Sequence, residues 1–191
     1  DTVDSFPSSK TSIVVGYKSN EVERDLVSKK KLCFVKQKNQ LGTAHAVQHA
    51  LPNIRKNSVA VVLYGDVPLV KKNTLNKLIK SASTGKLSLL TFIKEDPTGY
   101  GRIIRTSKKN VQKIIEHKDA SSAEKELREV NSGILAIKAN LLQQFISKIK
   151  NNNAAKEYYL TDLVEIANNH SVDVVATLCD PYEVGGANDK K

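Results

Sequence analysis

Apolar residues in this chain fall in short dense runs, separated by polar stretches whose apolar positions recur at helical spacing. Ser12 to Tyr17, Leu32 to Lys36 and Ser58 to Tyr64 are β-branched or continuously apolar, the pattern of strands buried on both faces. Between them, Ser19 to Lys31 reads as loop and helix. Gly42 to Leu51 reads as a helix with Ala44, Val47 and Leu51 on one face, stopped by Pro52. Thr74 to Ser81 repeats the helical pattern with Leu75, Leu78 and Ile79, and Leu87 to Ile93 is a further strand. This alternation predicts right-handed crossovers and a parallel sheet. Beyond residue 100 the rhythm changes. Arg102–Arg105 and Val111–Glu116 lie close together around Lys108-Lys109-Asn110 and read as a hairpin. A strand over Asn131–Ile137, helices over Leu141–Ile149 and Tyr158–Asn168, and a strand over Val172–Cys179 complete an α/β domain with an antiparallel insert. No internal repeat is present, and in particular no hexapeptide period.

Composition narrows the class. At 191 residues, 40% hydrophobic and 26% charged, the chain suits one soluble globular domain. It has no run of about 18 apolar residues for a membrane span and no apolar segment at its start for a secretory signal. Cys33 and Cys179 each sit in an apolar run and read as buried free thiols of a reducing compartment, the cytoplasm. The net charge of +10 raises nucleic-acid binding as a possibility. The lysines are dispersed, however, and only 5% of residues are aromatic, so the charge reads as a solvated exterior that favours an anionic nucleotide, with no nucleic-acid partner. The chain contains no methionine, which reads as a processed chain or a fragment.

Six stretches could carry chemistry, one of them Glu157-Tyr158-Tyr159-Leu160-Thr161-Asp162. Tyr64-Gly65-Asp66-Val67-Pro68 puts a carboxylate at the end of a central strand, where parallel sheets bind ligands and where Mg²⁺ finds a hard oxygen donor. In isolation, the same Asp66 would read as the start of a turn. Gln40-Leu41-Gly42-Thr43-Ala44-His45 opens a helix, with Gly42 allowing close backbone approach and Thr43 offering a hydroxyl and an amide, or simply capping. His45 reads as a packed or solvated helical residue. Asp96 to Arg102 contains two glycines that free the main chain to lie against a ligand, or to turn into the hairpin. Glu116-His117-Lys118-Asp119 ends a strand with ionisable groups. Asn131 is unusual within a strand and is a candidate for a polar contact. A nucleic-acid module and a non-catalytic interaction fragment remain alternatives at this point.

Taken in order, Q-x-x-Q-L-G-T-A-H-A, L-Y-G-D-V-P-L, D-P-T-G-Y-G-R-I, E-H-K-D-A, N-S-G-I-L, N-N-N-A-x-x-E-Y-Y-L-T-D and E-V-x-G-x-N closely resemble one family. It is the uridylyltransferase domain of the bacterial bifunctional N-acetylglucosamine-1-phosphate uridylyltransferase/glucosamine-1-phosphate acetyltransferases. The resemblance runs from about Ser12 to Asn188. It implies a Rossmann-like (GT-A-like) nucleotidyltransferase fold, a mostly parallel sheet with an antiparallel insert, in a single domain over residues 1–191. It also implies uridylyl transfer from UTP to N-acetylglucosamine-1-phosphate, giving UDP-N-acetylglucosamine and pyrophosphate for cell-wall synthesis. A nucleotidyltransferase for another sugar-1-phosphate is the alternative.

Carried across by motif, Gln37, Gly42 and Thr43 resemble the residues that hold uracil, and Tyr64 and Gly65 line the nucleotide crevice. Asp66 and Asn188 resemble the protein ligands of a catalytic Mg²⁺. Gly101, Glu116 and Asn131 resemble positions that bind the amino sugar and ribose, completed by Tyr159 and Thr161. The family's glycine-rich phosphate loop, its first strand and its acetyltransferase β-helix are absent from the sequence. By the size of one βα unit with loops, roughly 40 residues would precede Asp1 in the family pattern. The isolated chain is therefore expected to be poorly stable and nearly inactive, and the full-length protein to be a homotrimer.

Overall fold

The computed structural model describes residues 2–26 and 31–185. The chain opens with strand β1 (Thr11–Val15), helix α1 (Ser19–Asp25) and strand β2 (Leu32–Lys36). β1 and β2 pair in parallel, Thr11 opposite Leu32 through Val15 opposite Lys36, as a separate two-stranded sheet. Helix α2 (Thr43–Ala50) follows and ends in a 3₁₀ turn over Leu51–Asn53, at the proline expected to stop it.

The remaining strands form one six-stranded sheet: β3 (Val59–Val62), β4 (Leu87–Ile93), β5 (Arg102–Arg105), β6 (Val111–Ile115), β7 (Glu129–Lys138) and β8 (Val174–Leu178). The order is β6-β5-β7-β4-β8, with β3 also on β7. β4 and β8 are parallel, and β5 and β6 are the expected antiparallel hairpin. Helices α3 (Lys72–Ser83), α4 (Ser122–Lys125), α5 (Ala139–Ile146), α6 (Leu163–Asn169) and α7 (Pro181–Val184) connect and flank the strands.

The helices form two layers around this sheet. On one face α3 packs Leu75, Leu78 and Ala82 against Leu90, Phe92, Val130, Ile134 and Ala136. On the other, Ala44 and Val47 of α2, Leu142, Phe145 and Ile146 of α5 and Leu163, Val164 and Ala167 of α6 cover Leu87, Leu89, Leu135 and Ile137. Successive side chains of a strand point to opposite faces, so β4 divides its leucines between the two cores. Apolar burial on both faces is what makes β4, apart from Ser88 and Thr91, and Ile134–Ile137 of β7 apolar in sequence.

Three details differ from the sequence reading. β3 and β4 share a direction but are not neighbours, because β7 runs between them, antiparallel to both. A doubly buried antiparallel strand carries the same apolar run as a parallel one, so composition does not separate the two cases. The predicted helix over Tyr158–Asn168 is instead extended at Tyr159, then a 3₁₀ turn over Leu160–Asp162, then α6. Non-local bonds take the first part out of helix: Tyr158 N donates to Leu41 O at 2.8 Å, Ala44 N to Tyr158 O at 2.9 Å, and Leu160 N to Thr43 Oγ1 at 3.0 Å. Finally, both cysteines are free but not buried as expected. Cys33 lies on the exposed side of β2, whose sheet has too few strands to cover both faces, and Cys179 is half-buried.

The bulge in β7 explains Asn131-Ser132-Gly133. Leu89 pairs with Leu135 but Thr91 with Asn131, so β7 accommodates extra residues there. Gly133 takes φ +82°, a conformation that side chains disfavour. The Ser132 hydroxyl repairs the ladder by donating to Leu90 O at 2.7 Å and accepting from Ile134 N at 3.2 Å.

Candidate active site

The carboxyl ends of β2 and β3 and the bulge of β7 lead into one crevice. Gln37 directly follows β2 and is buried, its amide donating to Val15 O at 2.8 Å. Its side-chain Nε2 lies 3.3 Å from Gly42 O and 2.8 Å from His45 Nδ1. Gly42 has φ +113°, and a Cβ there would stand 2.6 Å from Tyr158 O and 2.7 Å from Tyr158 N. The close approach allowed by this glycine is therefore to the chain's own Tyr158 backbone. Thr43 does not cap α2. Its hydroxyl accepts from Leu160 N and hydrogen-bonds the Tyr64 side chain.

Tyr64 links the two groups of residues, hydrogen-bonded to Thr43 on one side and within reach of the Glu116 charge on the other. Its ring occupies the space that a side chain at residue 133 would need, with Cε2 2.5 Å from a Cβ built on Gly133. Burial pushes its phenol pKa above the ordinary tyrosine value, the Thr43 hydrogen bond pulls it back, and Glu116 and Asp66 raise it further. Gly65 and Asp66 follow on the exposed rim, where a Cβ on Gly65 would meet nothing.

On the far side of Tyr64, Thr161 Oγ1 donates to Glu116 Oε1 at 2.9 Å. A Cβ on Gly101 would stand 3.0 Å from Ile114 Cγ2 and 3.4 Å from Glu116 Oε2, so this glycine lies directly against β6 and the carboxylate that follows it. Gly101 O accepts from Asn131 N at 2.9 Å, which seats Asn131 at the bulge. Tyr64, Asn131, Gly133 and Thr161 line a cavity of about 10 Å³ beneath the crevice, room for about one water.

This end is crowded with acids. Burial raises the Glu116 pKa, and Asp119 and Glu157 add to the effect. Tyr159 is pushed up to about 12 by burial, then by Asp119, Glu116 and Glu157. Asp162 is pushed up to about 6 by burial, then by Glu165, Glu116 and Asp119. Such a pocket suits neutral hydroxyl and N–H donors and disfavours a bare phosphate. The sequence marked Glu157 and Asp162 only as part of a motif, and the fold is what brings their charges to bear on Glu116.

Gln37, Gly42, Thr43, Tyr64, Gly101, Glu116, Asn131, Tyr159 and Thr161 are thus linked through hydrogen bonds, close approaches or shared charge. Asp66 reaches the group only at its rim. Asn188 lies outside the described residues. Among the described residues, no group of three or more His, Cys, Asp or Glu is arranged to hold a metal ion. A second groove of about 660 Å³, lined in part by Leu41, His45, Asn151 and Tyr158, contains none of the expected site residues. The candidate site is therefore the crevice, where the hydrogen-bonding groups converge.

Comparison with known proteins shows the family. The nucleotidyl transferase family pattern matches residues 7–181. The chain belongs to the nucleotidyl transferase family. Among curated relatives, the bifunctional protein GlmU of Ruthia magnifica is 44% identical over 182 residues, covering 95% of this chain and 40% of that protein. The bifunctional protein GlmU of Nitrosomonas eutropha is 42% identical over 192 residues, 100% of this chain and 42% of the relative. The chain thus spans about 40% of the length of the curated relatives it matches.

Among solved structures, a Bacillus anthracis protein assigned as a glucose-1-phosphate thymidylyltransferase superposes with a TM-score of 0.70. It is 17% identical, and the match covers 88% of this nucleotidyl transferase and 67% of that chain. HddC from Yersinia pseudotuberculosis superposes with a TM-score of 0.63 at 16% identity, covering 93% of this chain and 72% of that one. These likenesses show the fold: a Rossmann-like α/β nucleotidyltransferase sheet.

Proposed function

We propose that this nucleotidyl transferase moves a uridylyl group from UTP to N-acetylglucosamine-1-phosphate, releasing pyrophosphate and forming UDP-N-acetylglucosamine. The observation that carries the reading is the linking of two groups of residues through Tyr64. A carboxamide, a helix start and a hydroxyl lie on one side for a base, and a buried acceptor-rich pocket around Glu116 and Thr161 lies on the other for a neutral sugar. The identity of 44% to a bifunctional protein GlmU supports the same assignment.

In this reaction an oxygen of the sugar phosphate attacks the α-phosphorus of UTP in line, and the bond to pyrophosphate breaks. The protein needs no covalent nucleophile, only positioning and compensation of charge. Gln37, Gly42 and Thr43 hold the base, and Tyr64 with Gly65 lines the path between the sites. Glu116, Asn131, Thr161, Gly101 and Tyr159 hold the amino sugar and orient its phosphate towards the nucleotide.

The donor set fits Mg²⁺. Asp66 is exposed and makes no hydrogen bond or ion pair among the described residues, so its carboxylate is available. Mg²⁺ takes one or two carboxylates and completes its shell with water and phosphate oxygens, so it does not require a cluster of acids. Asp66, with Asn188, would hold the ion, which neutralises phosphate charge when bound.

We place the activity in the cytoplasm, in cell-wall precursor synthesis, within a longer homotrimeric protein. No helix among the described residues is long and apolar enough to cross a membrane. Among those residues β1 pairs only with β2, and β3 only with β7, which leaves a strand edge open on each sheet. An additional strand and phosphate loop from a longer polypeptide would satisfy these edges.

The test is pyrophosphate release with UTP, Mg²⁺ and a panel of sugar-1-phosphates, on the intact protein and on the 191-residue chain. The intact protein should favour N-acetylglucosamine-1-phosphate, Asp66→Asn should abolish turnover while changing stability by less than about 0.5 kcal/mol, and the isolated chain should be nearly inactive. Preference for another sugar phosphate would overturn the substrate, full turnover by Asp66→Asn the metal assignment, and robust release by the isolated chain the need for further elements.

A further inference from the structure

The surroundings of Gln37 say more than that it faces the base. Gly42 O can only accept, so the nitrogen of the Gln37 carboxamide must be the atom turned towards it, at 3.3 Å. The same Nε2 lies 2.8 Å from His45 Nδ1. With its nitrogen fixed as donor, the second N–H goes to Nδ1, which must be unprotonated, and the neutral ring carries its proton on Nε2. Both N–H groups of Gln37 are then engaged inside the protein. Its Oε1 accepts no hydrogen bond from any described residue and is all that the Gln37 side chain can offer a ligand.

We propose that His45 is a positioning residue that holds Gln37 as an acceptor only, and so makes the site select a base with a ring N–H. This rests on the reading of Gln37 as a base contact. Uracil and thymine carry a proton on N3 and can donate it to Oε1. Cytosine presents a lone pair at N3, which would face the Gln37 oxygen acceptor to acceptor. To read cytosine, the carboxamide would have to turn over, giving up both Gly42 O and His45 Nδ1 and pointing its oxygen at two acceptors. A site built to hydrogen-bond a particular donor rejects the analogue that lacks it far more strongly than an apolar pocket rejects a change of shape.

The arrangement is specific to Nδ1. His45 also stands edge-on to His49, with ring centroids 4.6 Å apart, and stacks near Tyr158 at 6.5 Å. Those contacts need an aromatic ring but not its nitrogen. Packing and acceptor roles therefore separate by substitution. His45→Phe keeps a ring and removes the acceptor, His45→Leu removes both, and His45→Asn can place its Oδ1 near the position of Nδ1.

The experiment compares UTP with CTP in the intact protein with Mg²⁺, reading Kd by calorimetry and kcat and KM by pyrophosphate release. The wild type and His45→Asn should prefer UTP. His45→Phe and His45→Leu should each lose at least about tenfold of that preference, in Kd and KM and not in kcat, the size expected for one hydrogen bond to a buried group. A wild-type UTP:CTP ratio in either acceptor-free variant overturns the proposal. So does an equal loss of both nucleotides in all three variants, which would mark His45 as structural. Gln37→Ala separates the underlying reading: unchanged UTP affinity in that variant removes Gln37 from the base site, and the role of His45 falls with it. Weakened UTP binding by Gln37→Ala beside an unaltered ratio in His45→Phe overturns the role of His45 alone.

Discussion

The two sheets of this chain are buried to different depths. In β4 six of seven residues are buried, whereas in β1 and β2 together only Val15 is. The large sheet has helices on both faces, α3 on one and α2, α5 and α6 on the other. The small sheet is two strands wide, and a two-stranded unit is marginal in water unless something packs on it. Yet the small sheet carries Gln37. It keeps the Gln37 end in place by joining α2, whose start, with Leu41 just before it, is bonded to Tyr158 and Leu160. The other end, with Glu116, Asn131 and Thr161, grows from or beside the large sheet directly. One half of the crevice is thus rigid through its own core, the other through a seam of backbone bonds.

The sharpest way to break this comparison is to truncate one apolar side chain in each sheet, allowing for the extra methylene of leucine. Leu90→Ala, at a fully buried position of β4, should cost about 2–5 kcal/mol in urea unfolding. Val14→Ala, half-buried in β1, should cost about 1 kcal/mol or less. Equal costs would show that the small sheet is as strongly packed as the large one.

The seam itself comes next. Gly42→Ala introduces a Cβ at 2.6 Å from Tyr158 O and strains a φ of +113°, and should cost about 2 kcal/mol. Hydrogen exchange should show the loss concentrated at the amides of Ala44, Tyr158 and Leu160, with nucleotide affinity falling. Uniform loss across β4 and β7 would mean that the seam is part of the main core.

The smallest effect belongs to the acid end. Asp162 titrates at about 6 in the folded state against an ordinary value of 3.8, so the folded protein holds more protons than the unfolded chain between those values. Its contribution is fully present below about pH 4 and is lost as pH rises through 6. Asp162→Asn should therefore raise stability at pH 7 by about 1 kcal/mol, after allowing for solvent screening, and flatten the profile between pH 4 and 6. A wild-type slope in the variant would assign the titration to a different acid.

Much of this was legible in the residues. β2 and β4 lie where the apolar runs end, and for β4 the reason is burial on both faces, which demands apolar residues along most of the strand. Pro52 stops α2, and the hairpin of β5 and β6 turns at Lys109, as the spacing implied. The motif order pointed to Tyr64, Glu116, Asn131 and Thr161, and the structure draws these four together. Other features had no local signal. Asn131 looked odd in a strand, but the bulge that accounts for it needs β4 alongside. Tyr158 and Tyr159 followed helical spacing, yet remote bonds hold that stretch extended. His45 read as an ordinary helical histidine until its Nδ1 was seen against Gln37.

The sequence by itself determined the elements and the candidate chemistry, since periodicity, proline, glycine and turn residues act over a few positions through sterics and burial. Only the tertiary structure decided that β7 divides β3 from β4, that Thr161 meets Glu116 across 45 residues, and that Leu160 meets Thr43 across 117. Those pairings follow from which faces and edges are left to be satisfied once the elements pack, a condition set by the whole chain and written in no single stretch of it.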